Sequence, residues 1–428
     1  MKSISAKLCC ACLFLCIHAN IYSKNISILF IGNSYTYVNN LPEMVRQMGL
    51  TMGDTIFVDS STPGGYTYQL HTTDANTIAK IKQQQWDYVV LQEQSQLPSL
   101  SPAFVNVNSV PYALMLDSMI KANNACTKTI FYMTWGRKYG DGSNCASYPP
   151  VCTYAGMQQR LKESYLLFSD TCKAVAAPVG IAFKNYIAID TLLDLYSPDF
   201  SHPSLAGSFL AAATIYSTIT HNQITNQNYT AGLTVTQAAA LQNTSWQTII
   251  DSSALWNLGV NTPFANFTYN TLPNLTVQFI CPGNVNYTHF WDFGDTTFST
   301  LAEPVHQYLY SSYFGVKHIV YDSCTYDSAQ VIANITPQNI SNITVDESNF
   351  AFYNSADETI AMGLWKLSSH NVTISLYDVS GKLILKNNYT PTKPLTYLNI
   401  RKISNGMYIL NAVDDVTGKY FSQKVIKN

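Results

Sequence analysis

The chain has 428 residues, enough for about two or three domains and a large buried core. Its 24 Lys and Arg against 26 Asp and Glu leave a formal charge of −2, and charged residues make up only 12% of the chain. With no basic patch and 29 Tyr in an Asn-rich background, the composition excludes a nucleic-acid-binding surface and favours one that meets neutral ligands.

Residues 1–23 have the three-part layout of a secretory signal: Lys2 and Lys7, then the apolar stretch 8–17, then Ala19 and Ser23 near a cleavage site. That stretch is too short to span a bilayer permanently, and no later one is long and apolar enough, so no membrane span is expected in the mature protein. Of the 10 cysteines, Cys9, Cys10, Cys12 and Cys16 fall in this segment. An even number then remains, which in an exported protein suggests disulfides. The expected pairs are Cys145 with Cys152 across a Pro-rich loop, Cys126 with Cys172, and Cys281 with Cys324. Metal binding is the alternative for Cys145 and Cys152, but no Cys-x-x-Cys or His-x-x-x-His spacing supports it, so neither metal nor cofactor is expected.

From Asn25 to about Thr220, short β-rich runs alternate with helical patterns, the rhythm of a parallel sheet with helices on both faces. The expected strands are 26–31, 55–59, 88–92, 129–134 and 179–183, with helices over 111–123 and 154–174 between them. The first run stops at Gly32-Asn33-Ser34-Tyr35-Thr36. Asn40, Pro42 and Glu43 then open a helix expected to close at Gly49. Strand, serine turn and helix is a layout that exposes a nucleophile, although Asn33, Ser34 and Thr36 are also ordinary turn formers.

Ligands of such sheets bind at the carboxyl ends of the strands, so the segments that follow the strands should converge. These are Ser34, Pro63-Gly64-Gly65, Gln92-Glu93-Gln94-Ser95, Trp135-Gly136-Arg137 and Asp199-Phe200-Ser201-His202-Pro203. Asp199 and His202 precede an apolar helix expected over 205–219. They read either as an N-cap cluster or as a carboxylate that holds one imidazole nitrogen while the other faces outward.

Gly32-Asn33-Ser34 with Thr36, Gly64-Gly65, the Gln cluster and Asp199-x-x-His202-Pro203 resemble the ordered blocks of the SGNH (GDSL-like) hydrolase superfamily, over roughly residues 25–222. Trp86-Asp87, Thr134-Trp135-Gly136-Arg137 and Pro178-Val179-Gly180 resemble a Bacteroidetes-type subgroup in particular. The resemblance implies an α/β flavodoxin-like three-layer parallel sheet carrying a secreted serine esterase. Ser34 would be the nucleophile, His202 the base and Asp199 the group that fixes the imidazole, since a serine hydroxyl attacks only as a base removes its proton. The oxyanion would be met by the Ser34 and Gly65 amides and a side-chain amide. Two departures stand out: Asn33 replaces the usual Asp, and the usual Gly-x-Asn-Asp block is absent. Gln92 is therefore the first choice for the third donor and Gln94 the second. Gly65 serves equally well as a left-handed turn residue.

Gln94, Glu93, Trp135 and Arg137 complete the expected substrate side. Glu93 would orient its neighbours, and Arg137 would either clamp a carboxylate or sugar hydroxyl or stack on Trp135. His71 reads as a core or surface residue. Among substrates the resemblance points first to acetylated glycans, hence a carbohydrate O-acetylesterase. The alternatives are a lipase- or thioesterase-type acyl hydrolase and a non-catalytic glycan-binding surface protein.

Beyond a helical extension to residue 258, with runs at 235–241 and 246–255, the pattern turns to β alone. Phe290-Trp291-Asp292-Phe293-Gly294-Asp295 and Pro304-x-His306-x-Tyr308 resemble a PKD-type immunoglobulin-like domain, with Thr296 where a second Gly is usual. Trp291 and Phe293 should face its core. After a polar linker, Val372-x-Ile374-x-Leu376-Tyr377-Asp378, Asn405-Gly406-Met407-Tyr408 and Lys424-Val425-Ile426-Lys427 resemble the C-terminal sorting domain of type IX secretion substrates. This implies the type IX machinery as a partner and a secreted or surface-attached product. The expected organisation is signal 1–23, hydrolase 24–258, and two small all-β sandwich domains at 261–337 and 345–428.

Overall fold

A computed structural model describes residues 24–225, 228–281, 283–335, 350–354, 358–363, 371–378, 381–389, 396–417 and 420–427. The expected signal segment and the polar linker at 336–346 lie outside the described residues.

Five short runs pair in parallel: β1 (Asn25–Ile31), β2 (Thr55–Ser61), β3 (Tyr88–Leu91), β4 (Lys128–Tyr132) and β5 (Val175–Ala177), in the spatial order 2-1-3-4-5. This is the flavodoxin-like doubly wound order, in which the direction of winding reverses between β1 and β3. Ile28–Ile31, Val89–Leu91 and Ile130–Tyr132 are buried throughout, because helices cover both faces of the central strands. The register pairs Ile31 with Leu91 and Leu91 with Phe131, so three strands end at one level and deliver their following loops to one edge.

Among the described residues the α-helices are, in chain order, α1 (Ser34–Tyr37), α2 (Leu41–Thr51), α3 (Tyr68–Thr73), α4 (Ala75–Lys82), α5 (Pro102–Asn108), α6 (Val110–Asn123), α7 (Tyr154–Thr171), α8 (Val179–Ile189), α9 (Leu205–Thr220) and α10 (Val235–Ile250). α2, α8, α9 and α10 pack together in one layer, and α3, α4, α6 and α7 in the other. α9 is buried along its whole length except at Leu205, which explains its nearly uninterrupted run of apolar and small residues.

Three expected elements differ. Residues 179–183 form the start of α8, and the fifth strand is the three-residue run Val175–Ala177 before Pro178. A short apolar run bounded by Pro does not distinguish a buried strand from a buried helix. α2 runs through Gly49 to Thr51, since Ile56 packs directly against that glycine. The two runs after residue 234 are mostly one helix, α10, opened by a capping box of Thr234 and Gln237.

The next segment folds as two facing antiparallel sheets. Strands β6 (Thr268–Leu272), β7 (Thr276–Ile280) and β10 (Val305–Gln307) make one sheet. Strands β8 (Thr288–Asp292), β9 (Phe298–Ser299), β11 (Ser312–Tyr321) and β12 (Tyr326–Ile335) make the other. Trp291 and Phe293 lie in the core between them with Phe267, Phe279 and Val316. This sandwich belongs to the same compact unit as the α/β sheet. Cys126 of the α/β layer is bonded to Cys324 of the sandwich, Cα to Cα 5.2 Å. Cys145 pairs with Cys152 as expected. The other two expected pairs are corrected: Cys172 and Cys281 are buried free thiols, because the residue nearest in space to Cys126 comes from the neighbouring domain.

The final unit consists of antiparallel strands β13 (Phe350–Asn354), β14 (Thr359–Gly363), β15 (Val372–Asp378), β16 (Leu383–Tyr389), β17 (Thr396–Asn399), β18 (Gly406–Asp414) and β19 (Tyr420–Lys427). They form sheets ordered 13-14-17 and 16-15-18-19 around Ile360, Ile374, Leu376, Leu398 and Leu410. Among the described residues no helix is long and apolar enough to cross a membrane.

Candidate active site

β1 ends at Ile31, and Asn33 caps α1, its side-chain oxygen accepting from the Tyr35 amide at 3.2 Å. Ser34 is thus the first residue of a short helix at the sheet edge. His202 lies 168 positions away, two residues before Ser204 caps α9. The fold brings the two together: Ser34 Oγ is 2.8 Å from His202 Nε2, and His202 Nδ1 is 2.5 Å from Asp199 Oδ2. Because a carboxylate only accepts, Nδ1 carries the proton and donates to Asp199, and Nε2 is left to accept from the serine hydroxyl. The other Asp199 oxygen accepts the amides of Ser201 at 3.1 Å and His202 at 3.0 Å, which closes the turn between them. Partial burial raises the Asp199 carboxyl, but the bonds from the His202 ring and the two amides outweigh it and hold the group below its ordinary value. Asp199 therefore does not cap α9; Ser204 does.

The imidazole is supported by an aromatic column. Tyr35 meets the His202 ring edge-on at 5.3 Å, stacks on Trp135 at 4.8 Å, and Trp135 stacks on Phe183 at 4.1 Å. The Trp135 ring nitrogen donates to the Ser201 carbonyl at 3.1 Å, and the Tyr35 hydroxyl shares a 2.6 Å bond with Ser201 Oγ. Burial raises the Tyr35 pKa despite the nearby Ser201, Ser95 and Arg137, so its hydroxyl stays protonated.

Several expected site residues sit elsewhere. Gln92 is fully buried: its Oε1 accepts from the Asn33 amide and from Thr36 Oγ1, both at 2.9 Å, and its Nε2 donates to the Glu93 carbonyl. It holds the Ser34 turn from below and, fully buried, offers no donor to a ligand, so the oxyanion role expected of it is corrected. Gln94 is no substitute, since its Oε1 accepts the Gln96 and Leu97 amides and its Nε2 meets Gln96 Oε1 at 3.3 Å. Glu93 is also fully buried; one oxygen accepts from the amides of Tyr68 at 2.9 Å and Gln94 at 2.7 Å. It ties these two segments together, and its burial corrects its expected place on the substrate side. Trp135 is completely buried, so its place on the substrate side is corrected to the column beneath His202.

Arg137 remains at the rim, half-buried, with Nη1 3.4 Å from Asp141 Oδ1 and the guanidinium near the Tyr35 hydroxyl. It does not stack on Trp135, whose faces are taken by Tyr35 and Phe183. His71 is a core residue as expected: its Nε2 donates to the Gly32 carbonyl at 2.9 Å, and burial lowers its pKa.

Gly65 has φ +71°, the left-handed conformation that its turn reading anticipates. The Gly64-Gly65 turn is tied to the Ser34 turn through Asn33 Nδ2, which donates to the Tyr66 carbonyl at 2.9 Å. Among the described residues, neither the Ser34 nor the Gly65 amide has an acceptor within the protein. Asn33 thus takes a structural part that an Asp could not, because a carboxylate has no proton for a carbonyl. Sequence reasoning missed Tyr35, whose only signal is its place directly after the serine, and the exposed aromatic Phe200 inside the Asp199–His202 turn.

Residues 355–428 match the secretion system C-terminal sorting domain. That match bears out the reading of the last segment, and a sorting domain of this kind indicates export to the cell surface or beyond. No curated protein matches the chain. Among solved structures, a DUF4886 family protein from Bacteroides uniformis is 17% identical, covering 53% of this chain and 95% of its own, with a TM-score of 0.47. A proposed SGNH hydrolase from Slackia heliotrinireducens is 27% identical, covering 45% and 98%, with a TM-score of 0.38. A psychrotrophic esterase, EstA from Pseudoalteromonas sp., is 13% identical, covering 45% and 94%, with a TM-score of 0.31.

Proposed function

We propose that the protein is an exported serine esterase in which Ser34, His202 and Asp199 form the catalytic triad, and that its substrate is an O-acetylated glycan. The observation that carries this reading is the unbroken hydrogen-bonded chain from Ser34 Oγ through the His202 ring to Asp199 at the carboxyl edge of a parallel sheet.

In the proposed reaction, Ser34 Oγ attacks the ester carbonyl carbon as its proton passes to His202 Nε2. Asp199 stabilises the imidazolium and keeps its orientation. The Ser34 and Gly65 amides, which have no acceptor in the protein, bond the developing oxyanion; each such donor is worth about 3 kcal/mol in the transition state. His202 then gives the proton to the leaving sugar hydroxyl. Water, deprotonated by the same nitrogen, releases the acyl group from Ser34 and restores the serine.

Neither metal nor organic cofactor enters these steps. The sandwich at 261–337, of PKD type by its sequence, would act as a fixed companion of the hydrolase domain, and the C-terminal domain would engage the type IX machinery.

The test is labelling of purified mature protein with a fluorophosphonate probe. Wild type is expected to label and Ser34→Ala to lose the label completely. Labelling that persists in Ser34→Ala, or is absent from wild type, would overturn the esterase reading. Rates on acetylated xylan, acetylated sialate and medium-chain esters then rank the acyl and alcohol halves, with acetylated glycan expected to lead.

A further inference from the structure

The chain after β4 runs from Met133 to Tyr148 without regular structure, an uncommon length inside a compact domain unless the loop has a task. It is held rigidly. Cys145–Cys152 closes its far end, and Asp141, fully buried, collects Gln96 Nε2 at 3.0 Å, Asn144 Nδ2 at 2.6 Å and the Ser143 amide at 3.1 Å. Gly140 has φ +80°, and a Cβ there would lie 2.5 Å from the Cys152 backbone, so only glycine permits this path.

What this rigid loop displays is Tyr139, 67% exposed, packed edge-to-face at 4.9 Å against Phe200, itself 43% exposed. Phe200 sits inside the Asp199–His202 turn at φ +59°, a conformation unfavourable for a bulky residue. It is held there by its amide bond to the Ser197 carbonyl and by the Lys138 amide, which donates to the Phe200 carbonyl, both at 2.9 Å. Lys138 Nζ lies 6.0 Å and 5.8 Å from the two ring centroids and is paired with Asp194 at 2.6 Å. Behind it opens a cavity of about 180 Å³ lined by Asp190, Thr191, Asp194 and Tyr196.

An exposed aromatic corner, preorganised at the cost of backbone strain and joined directly to the turn that holds His202, is built to receive something. We infer that Tyr139 and Phe200 form a stacking platform for a neutral pyranose ring of the polysaccharide. A pyranose has an apolar C–H face that suits an aromatic ring, and rim hydroxyls that suit the Lys138–Asp194 pair beside it. An acidic sugar fits less well, because Lys138 Nζ, the cation beside the two rings, is already paired with Asp194 at 2.6 Å. A long acyl chain would need an enclosed apolar channel, and these rings stand in the open next to an ion pair. As a placement beside Ser34 the platform rests on the esterase reading, but its ligand binding is measurable apart from it.

The experiment compares wild type, Tyr139→Ala, Tyr139→Phe and Phe200→Asn in the mature protein. Asn is chosen at 200 because it tolerates the left-handed conformation. With acetylated xylan, Tyr139→Ala is expected to raise KM about tenfold with little change in kcat, and Tyr139→Phe to stay close to wild type. In the Ser34→Ala background, calorimetric binding of unsubstituted xylo-oligosaccharide is expected to weaken about tenfold with Tyr139→Ala and likewise with Phe200→Asn. An unchanged KM and unchanged binding in these variants would overturn the platform while leaving fluorophosphonate labelling of wild type intact. So would tighter binding of an acidic oligogalacturonide, or an equal KM effect on a medium-chain ester. Wild type that fails to label yet binds xylo-oligosaccharide through Tyr139 would defeat the esterase reading and support the platform.

Discussion

Glu93 shows how much a single buried residue can carry at this site. One oxygen joins the start of α3 to the loop after β3; the other is buried without a partner among the described residues, with the Ser109 hydroxyl nearby. Burial dominates over the bonds from the Gln94 and Tyr68 amides, and the carboxyl is pushed up to about 7. Between the ordinary Glu value and pH 7 the folded state therefore binds more protons than the unfolded chain, so stability falls as pH rises through this window. The fall amounts to about 3 kcal/mol if the whole shift is expressed. Urea denaturation at pH 5 and pH 7.5 should show this loss in wild type, and Glu93→Gln should flatten it. A wild type equally stable at both pH values would refute the assignment. Sequence places Glu93 and Gln92 near the site, but only their burial reveals them as supports for Asn33 and Tyr68.

At the scale of elements, the turn after β8 holds a departure visible in sequence and explained by backbone shape. Thr296, standing where a second Gly is usual, adopts φ +74°, costly for a β-branched side chain. Thr296→Gly is expected to stabilise the unit by about 1 kcal/mol, after allowance for the greater entropy of glycine in the unfolded chain, with the denaturation midpoint as the readout. A lowered midpoint would mean that the Thr side chain makes a contact worth more than the strain. The same scale explains the misplaced fifth strand. Val175–Ala177 is too short and too rich in alanine to announce itself, whereas Val179–Phe183 has strand-like composition but follows a Pro and completes an inward-facing helix. Periodicity over five residues does not separate these outcomes; packing against α7 and α9 does.

Across the whole first unit, the sandwich is bound to the α/β domain. Besides Cys126–Cys324, the buried Asp327 of β12 accepts from His221 Nδ1 at 2.9 Å and from the Ala265 amide at 2.8 Å, and Lys128 pairs with Asp322 at 3.3 Å. A cross-link between residues 198 apart removes much freedom from the unfolded chain, so replacing both Cys126 and Cys324 by Ser should cost about 2–4 kcal/mol in denaturant titrations. If the double variant unfolds at the wild-type midpoint, the link has no part in holding the domains together. The sandwich is thus a companion fixed to the face that carries Lys24, Cys126 and His221.

The sequence by itself determined the parallel-sheet class, four of its five strands, the Gly32–Thr36 turn that carries Ser34, the Asp199–His202 loop and the sorting tail. Each is written in local pattern: apolar runs cut by glycine, residues three apart before a helix, alternation without helices. Tertiary structure alone decided which Gln faces inward, which cysteines meet, and that Trp135 lies under the imidazole while Tyr139 stands clear of it. Those outcomes depend on distances between segments far apart in the chain, where burial and the need to satisfy each polar group select one arrangement among several that the local pattern permits.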